Sequence, residues 1–189
     1  MGFNKPVVHN FYDKLEKTMN KYKFGPEKIY NTDETGLTTV QGPTKVLAEK
    51  GQRQVGQVTS SERGCLVTMC GTINAIGNSI PPFLIFPRVN YKEYMIKGAS
   101  HGTVGAATPS GWISAEVFVK YLEHFIHHLH SSKDNPVLLI MDNHESHISL
   151  RAIDLAKSNG VILLPIPPHT SHRLQPLDRC VYGPLNRSP

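Results

Sequence analysis

Apolar residues recur along the 189-residue chain in three rhythms, and each predicts a different kind of element. Over residues 5–22 they return every three or four positions, at Val8, Phe11, Leu15, Met19 and Tyr22. That is one stripe of a helix, with Asn4 placed to cap it. The run "KIYNTDETG" is short and β-prone; it is expected to end at Asp33 and Glu34, before Gly36 breaks it. Residues 65–87 read as two strands joined by a turn at Ala75–Asn78, with Pro81-Pro82 confining the second strand to a bulge or a sheet edge. Together with "KIYNTDE" they predict an antiparallel half-sheet.

Residues 88–113, rich in Gly, Ser and Pro, read as a long excursion. Ser114 then caps a helix whose Val117, Tyr121, Leu122, Phe125 and Leu129 share a face. From there the rhythm alternates. "PVLLIMDN" is a buried strand, "SLRAIDLAKSNG" a helix closed by Gly160, and "VILLPIPP" a second buried strand. Strand, helix and strand in that order make a right-handed parallel crossover, so both strands point their C-terminal ends the same way. The fold class is therefore α/β, a mixed sheet flanked by helices.

Asp142 directly follows five apolar residues, Val137 to Met141, and so stands at a strand's C-terminal end, where α/β sheets bind ligands. Asp33 is expected at a second strand end, and Asp178 near the start of a short amphipathic segment after the polar loop "HTSHRLQP". Carboxylates brought close together repel one another unless a cation such as Mg²⁺ offsets the repulsion. Taken singly, Asp33 could cap the turn at Thr35-Gly36, and Asp178 could favour a helix N-terminus through the dipole.

Composition narrows the classes further. Hydrophobic residues make up 39% and charged residues 19%, enough for one core, and no run approaches the roughly 18 apolar residues of a membrane span. Three cysteines, Cys65, Cys70 and Cys180, are too few for a disulfide framework, and with no signal peptide visible the expected compartment is intracellular and reducing. Cys65 and Cys70 are expected as buried strand thiols. A formal net charge of +5 favours an anionic partner such as nucleic acid. Arg63, Lys92, Lys97, Arg151, Lys157 and Arg173 are candidate phosphate contacts.

The histidines argue against a zinc protease: "HESH" leaves one residue between Glu145 and His147, where that helix signature needs two. His124, His127, His128 and His130 are expected on a solvated or partly packed helix face. His124 and His128 alone have metal-compatible spacing.

The segments "IYNTDETG", "ERGCLVTMCGTINAIGNSIPPFLIFPR", "PSGWIS", "LLIMDNHESH" and "PPHTSHRLQPLDRCVYGPL", in this order, resemble the DDE-type transposase domain of the pogo, Tigger and jerky group, to which centromere protein B is related. The resemblance covers nearly everything from residue 28 onward. It implies an RNase H-like catalytic core over residues 28–189, preceded by a helical linker segment over 1–27. It also implies a catalytic and metal-holding triad at Asp33, Asp142 and Asp178, with 35 residues between the second and third acids. The implied cofactor is Mg²⁺ or Mn²⁺, the partner DNA, and the chemistry two-metal phosphodiester hydrolysis or strand transfer in the nucleus. Glu34, Asn143 and Glu145 are candidates to support the triad.

The helix-turn-helix region usual in that group has no room ahead of Asn4, and little chain follows Asp178 to brace it. The chain is therefore expected to be a core fragment truncated at its C-terminus. Three readings stay open: a metal-dependent endonuclease, a nuclear protein that binds nucleic acid without cutting it, and an inactive remnant. Self-association is an open possibility; no membrane or small-molecule substrate is indicated.

Overall fold

The computed structural model describes residues 3–38, 50–51 and 64–185. Arg63, one of the candidate phosphate contacts, lies outside them. The described chain forms a six-stranded mixed sheet in the order β4-β3-β2-β1-β5-β6, from β1 (Ile29–Thr38), β2 (Leu66–Asn74), β3 (Phe83–Pro87), β4 (Val104–Thr108), β5 (Val137–Met141) and β6 (Val161–Pro165). β1 pairs antiparallel with β2 and β2 with β3, whereas β1–β5, β5–β6 and β3–β4 are parallel.

The helices cover both faces. α1 (Lys5–Tyr22) begins where Asn4 Oδ1 accepts the amide of Val7 at 3.1 Å. It lays Phe11, Leu15 and Met19 against Leu138, Leu164 and Ile166. α2 (Ala115–Leu129), capped by Ser114, buries Phe118, Tyr121, Leu122 and Phe125 on the opposite face with Tyr30, Phe83, Ile85 and Leu139. α3 (Leu150–Ser158) makes the β5–β6 crossover. It gives way to Gly160 at φ +69, where a side chain would collide with the Ser132 carbonyl. Alternation along β5 sends Leu139 and Met141 to the α2 side and Leu138 and Ile140 to the α1 side. A strand buried on both faces reads as an unbroken apolar run.

Several expectations need correction. β1 does not stop at Glu34 but continues through Gly36 to Thr38, because pairing with β2 runs on to Thr38↔Leu66. Gly36 survives in it because a Cβ there would press on Leu66. Asp33 is thus mid-strand. Residues 88–113 are not only an excursion, for Val104–Thr108 pairs with all of β3. β3 is consequently an interior strand despite Pro81-Pro82, which precede it, and β4 is the edge. The expected turn after β2 is present, with Gly77 at φ +92 and Asn74 Oδ1 accepting the amides of Ile76 and Asn78.

Of the histidines on α2, His127, His128 and His130 are exposed as expected. His124 is buried instead, with Nε2 2.8 Å from the Pro81 carbonyl. Cys70 is buried in β2, while Cys65 precedes the strand, half-buried beside Arg88 at 3.6 Å.

Candidate active site

The parallel register between β1 and β5 runs Ile29↔Leu138, Tyr30↔Leu139 and Asn31↔Ile140. Asp33 lies two residues past the last pair on β1, and Asp142 directly follows β5, so adjacent parallel strands carry the first two acids to the same end of the sheet. Alternation sends the neighbouring Glu34 to the α2 face.

The third acid arrives on the C-terminal segment, whose attachment to the sheet rests on buried polar side chains. Asn31 Nδ2 donates to the Ile140 carbonyl at 3.1 Å and to Gln175 Oε1 at 2.6 Å, and Asn31 Oδ1 accepts the Leu177 amide at 3.1 Å. Gln175, with no exposed surface, donates through Nε2 to the Thr32 carbonyl at 3.0 Å. Beyond it, Asp178 opens a wide π-type turn, Asp178–Tyr182. Tyr182 at its end donates its hydroxyl to the Asp33 carbonyl at 2.6 Å and accepts the Gly71 amide at 3.1 Å. Gly71 is required there, since a Cβ would lie 2.6 Å from that hydroxyl.

Asp33, Asp142 and Asp178 thereby line one cavity of about 360 Å³, shared with Glu34, Trp112, Ile113, His144 and Ser171. Burial, the chief cause, together with the charges of Asp178 and Glu34, raises the Asp33 carboxyl to about 7, against an opposing hydrogen bond from Gln175. Asp142 behaves oppositely. Its burial is outweighed by His147 and by the His144 amide, which donates to Oδ1 at 3.1 Å, so it is held below the usual carboxylate range.

His147 is the feature the sequence pattern did not reveal. Only 2% exposed, it lies 4.3 Å centroid to centroid from the Phe118 ring. Its Nε2 is 3.1 Å from Glu34 Oε1 and its Nδ1 is 2.7 Å from Asp142 Oδ1, the latter an ion-pair contact not aligned as a hydrogen bond. Burial disfavours its charge, but the two carboxylates prevail and raise the imidazole to about 9. One ligand atom from each of Glu34, Asp142 and His147 falls within 4.8 Å of the other two, close enough to hold a metal ion. Of the two histidines in "DNHESH", His147 is buried and His144 exposed, a difference the sequence does not mark. Burial cannot be read from spacing. Asn31 and Gln175 could have been suspected as amides interrupting apolar surroundings two and three residues before an acid.

Of the basic candidates, Arg173 lies exposed on the short helix α4 (Ser171–Leu174), whose Ser171 lines the acid cavity. Lys157 instead lines a separate apolar groove along β6 with Tyr22 and Lys133. Asn143 and Glu145 are exposed and do not line the acid cavity.

The donor chemistry fits a hard divalent cation. Carboxylate oxygens dominate, and the repulsion that raises Asp33 is what such an ion would offset.

Comparison with known proteins follows the same lines. The profile of the DDE superfamily endonuclease family matches residues 64–188. The Mos1 mariner paired-end complex with Mn superposes with a TM-score of 0.63 at 16% identity, over 99% of this chain and 50% of that one. The catalytic domain of Mos1 mariner transposase gives 0.58 at 14% identity, over 98% of this chain and 72% of that one. Such identities carry the fold, which is RNase H-like. A curated relative, the MFS-type transporter clz9 of Cochliobolus lunatus, is 34% identical over 187 residues, or 97% of this chain and 20% of its own length. The chain spans about a fifth of that protein. Among the described residues, no helix is long and apolar enough to cross a membrane.

Proposed function

Because the chain belongs to the DDE superfamily endonuclease family, we propose that it is a transposase-derived nuclease domain acting on DNA phosphodiesters with Mg²⁺ or Mn²⁺. The observation that carries this reading is the meeting of Asp33, Asp142 and Asp178 in one cavity at the junction of β1 and β5. These three residues would hold the metal. Bound there, it would supply an activated water or 3′-hydroxyl and stabilisation of the leaving oxygen.

The chain's own contribution is placement. Adjacent parallel strands hold Asp33 and Asp142 at fixed separation, and the Asn31–Gln175 amide pair and Tyr182 pin the Asp178 segment to β1. His147 orients Asp142 and keeps it ionised. With its carboxyl raised to about 7, Asp33 is protonated in roughly half of the molecules near neutral pH in the absence of metal, so loading of the site releases protons. A DNA substrate would place the work of the domain in the nucleus, and the Mos1 complexes with transposon ends favour DNA as the partner.

The direct test is nicking of plasmid DNA in Mn²⁺ by the chain and by Asp142→Asn. Cleavage by the parent and none by the variant is expected. Equal cleavage would remove Asp142 from the catalytic set. DNA bound but left uncut in every metal would instead make the domain a nucleic-acid-binding module.

A further inference from the structure

Trp112 is the only tryptophan in the chain and is 56% exposed, yet the turn that carries it is rigid. Thr108 Oγ1 donates to the Trp112 carbonyl at 2.9 Å, and the Gly111 amide donates to the Thr108 carbonyl at 3.0 Å. Thr68 Oγ1, on β2, donates to the Gly111 carbonyl at 2.7 Å, and the Trp112 amide donates to Ser110 Oγ at 3.3 Å. Gly111 takes φ +76, closed against Pro87. The next residue, Ile113, packs into the core. Each of these bonds ends on the backbone of Gly111 or Trp112, which leaves the Trp112 side chain free on the wall of the cavity that holds Asp33, Asp142 and Asp178.

A large flat apolar surface at the rim of a polar cavity gains free energy only when something flat and apolar covers it. Arg88, the residue after β3, is joined to this turn by its amide, which donates to the Thr108 carbonyl at 3.0 Å. Its exposed guanidinium is steadied by the Pro87 carbonyl at 2.9 Å. An aromatic platform on the wall of an acid cavity, with an exposed guanidinium on the segment tied to its turn, suits one nucleotide: base on the ring, backbone phosphate on the cation. In a duplex both faces of each base are already stacked, so the occupant must be unpaired.

We propose that Trp112 is the stacking platform for an unpaired nucleobase flanking the phosphodiester in the acid cavity, with Arg88 holding the adjoining phosphate. This rests on the DNA reading above and assigns part of its substrate: a strand end or unwound flank rather than continuous duplex.

The lone indole reports on itself. The full chain is titrated, with Ca²⁺ present, with a short duplex bearing a single-stranded adenine flank and with the same duplex carrying an abasic flank. Tryptophan emission and probe anisotropy are read together. The adenine flank should quench emission, saturating with the anisotropy. The abasic probe should bind roughly ten-fold more weakly, within the range of one base–aromatic stack, and leave emission unchanged. Trp112→Ala, with the melting temperature of the parent, should bind both probes at the weaker level, and Trp112→Phe should recover most of the loss. Binding without quenching, or Trp112→Ala binding the adenine probe as tightly as the parent, overturns the platform and leaves the nuclease reading standing. Binding of neither probe overturns both. Emission that changes with protein concentration alone identifies a second copy of the chain as the occupant and also overturns the platform.

Discussion

His147 Nδ1 lies 2.7 Å from Asp142 Oδ1, so the second acid of the cavity is already in contact with a buried cation supplied by its own loop. The same imidazole reaches Glu34 on the neighbouring strand, tying the loop after β5 to β1.

Stability should carry this contact's pH signature. The folded-state value of His147 is raised from 6.5 to about 9, so its contribution is fully present below pH 6.5 and is lost as pH rises through about 9. Melting temperature measured from pH 6 to 10 should fall over that window for the parent. His147→Gln should melt lower at pH 6, by about 2 kcal/mol, less than a fully enclosed pair costs because Asp142 and Glu34 are partly exposed. Its curve should be flat between pH 7 and 9.

Asp33 gives a signal of the same sign in a lower pH window. With its carboxyl raised to about 7, the folded chain keeps a proton that the unfolded chain gives up near 3.8. Stability therefore declines as pH rises between those values. Metal must displace that proton, so the rise in melting temperature on adding Mn²⁺ should be larger at pH 8 than at pH 6. Asp33→Asn should show neither the acid-side decline nor the metal effect.

Asp178 is exposed, so Asp178→Asn should change metal-free stability by less than about 0.5 kcal/mol. It should nonetheless lower the Asp33 titration, because the Asp178 charge is one of the causes that raise it. Carboxyl NMR titration reads this directly. An unmoved Asp33 in the variant would mean that the two acids do not sense each other.

Gln175→Ala takes from Asn31 Nδ2 its Gln175 acceptor, leaving the Ile140 carbonyl, and from the Thr32 carbonyl its Gln175 donor, in buried surroundings, at a cost of about 1–3 kcal/mol. Hydrogen exchange at the Leu177 amide should accelerate in this variant, while the core amides of β5 stay protected.

What could be read ahead of the structure was whatever periodicity encodes. α1, α2, β5, α3 and β6 announce themselves through stripes, caps and unbroken apolar runs, whereas the pairing of β1 with β5 is a tertiary contact that the β5–β6 crossover does not dictate. β4 stayed hidden because "VGAAT" has small residues where a strand usually shows β-branched ones, and its pairing with β3 comes from tertiary contact. Gly36 misled for a related reason, since pairing with β2 overrode its local tendency to break a strand. The roles of His147, Asn31 and Gln175 could not be assigned because each acts through burial next to a distant residue, as with Asn31 and Gln175, 144 positions apart. The DDE resemblance located Asp178, which no pattern of apolar residues could have done.

That long separation also sets an order of events during synthesis. β1 leaves the ribosome early, and Asn31 must wait with its amide uncommitted until residues 171–185 emerge to accept it. A nascent chain released before Gln175 could hold Asp33 and Asp142 side by side yet lack both the third acid and the latch that seats it. The acid set is thus completed only once residues 171–185 dock on β1, so a chain interrupted before them carries an incomplete set.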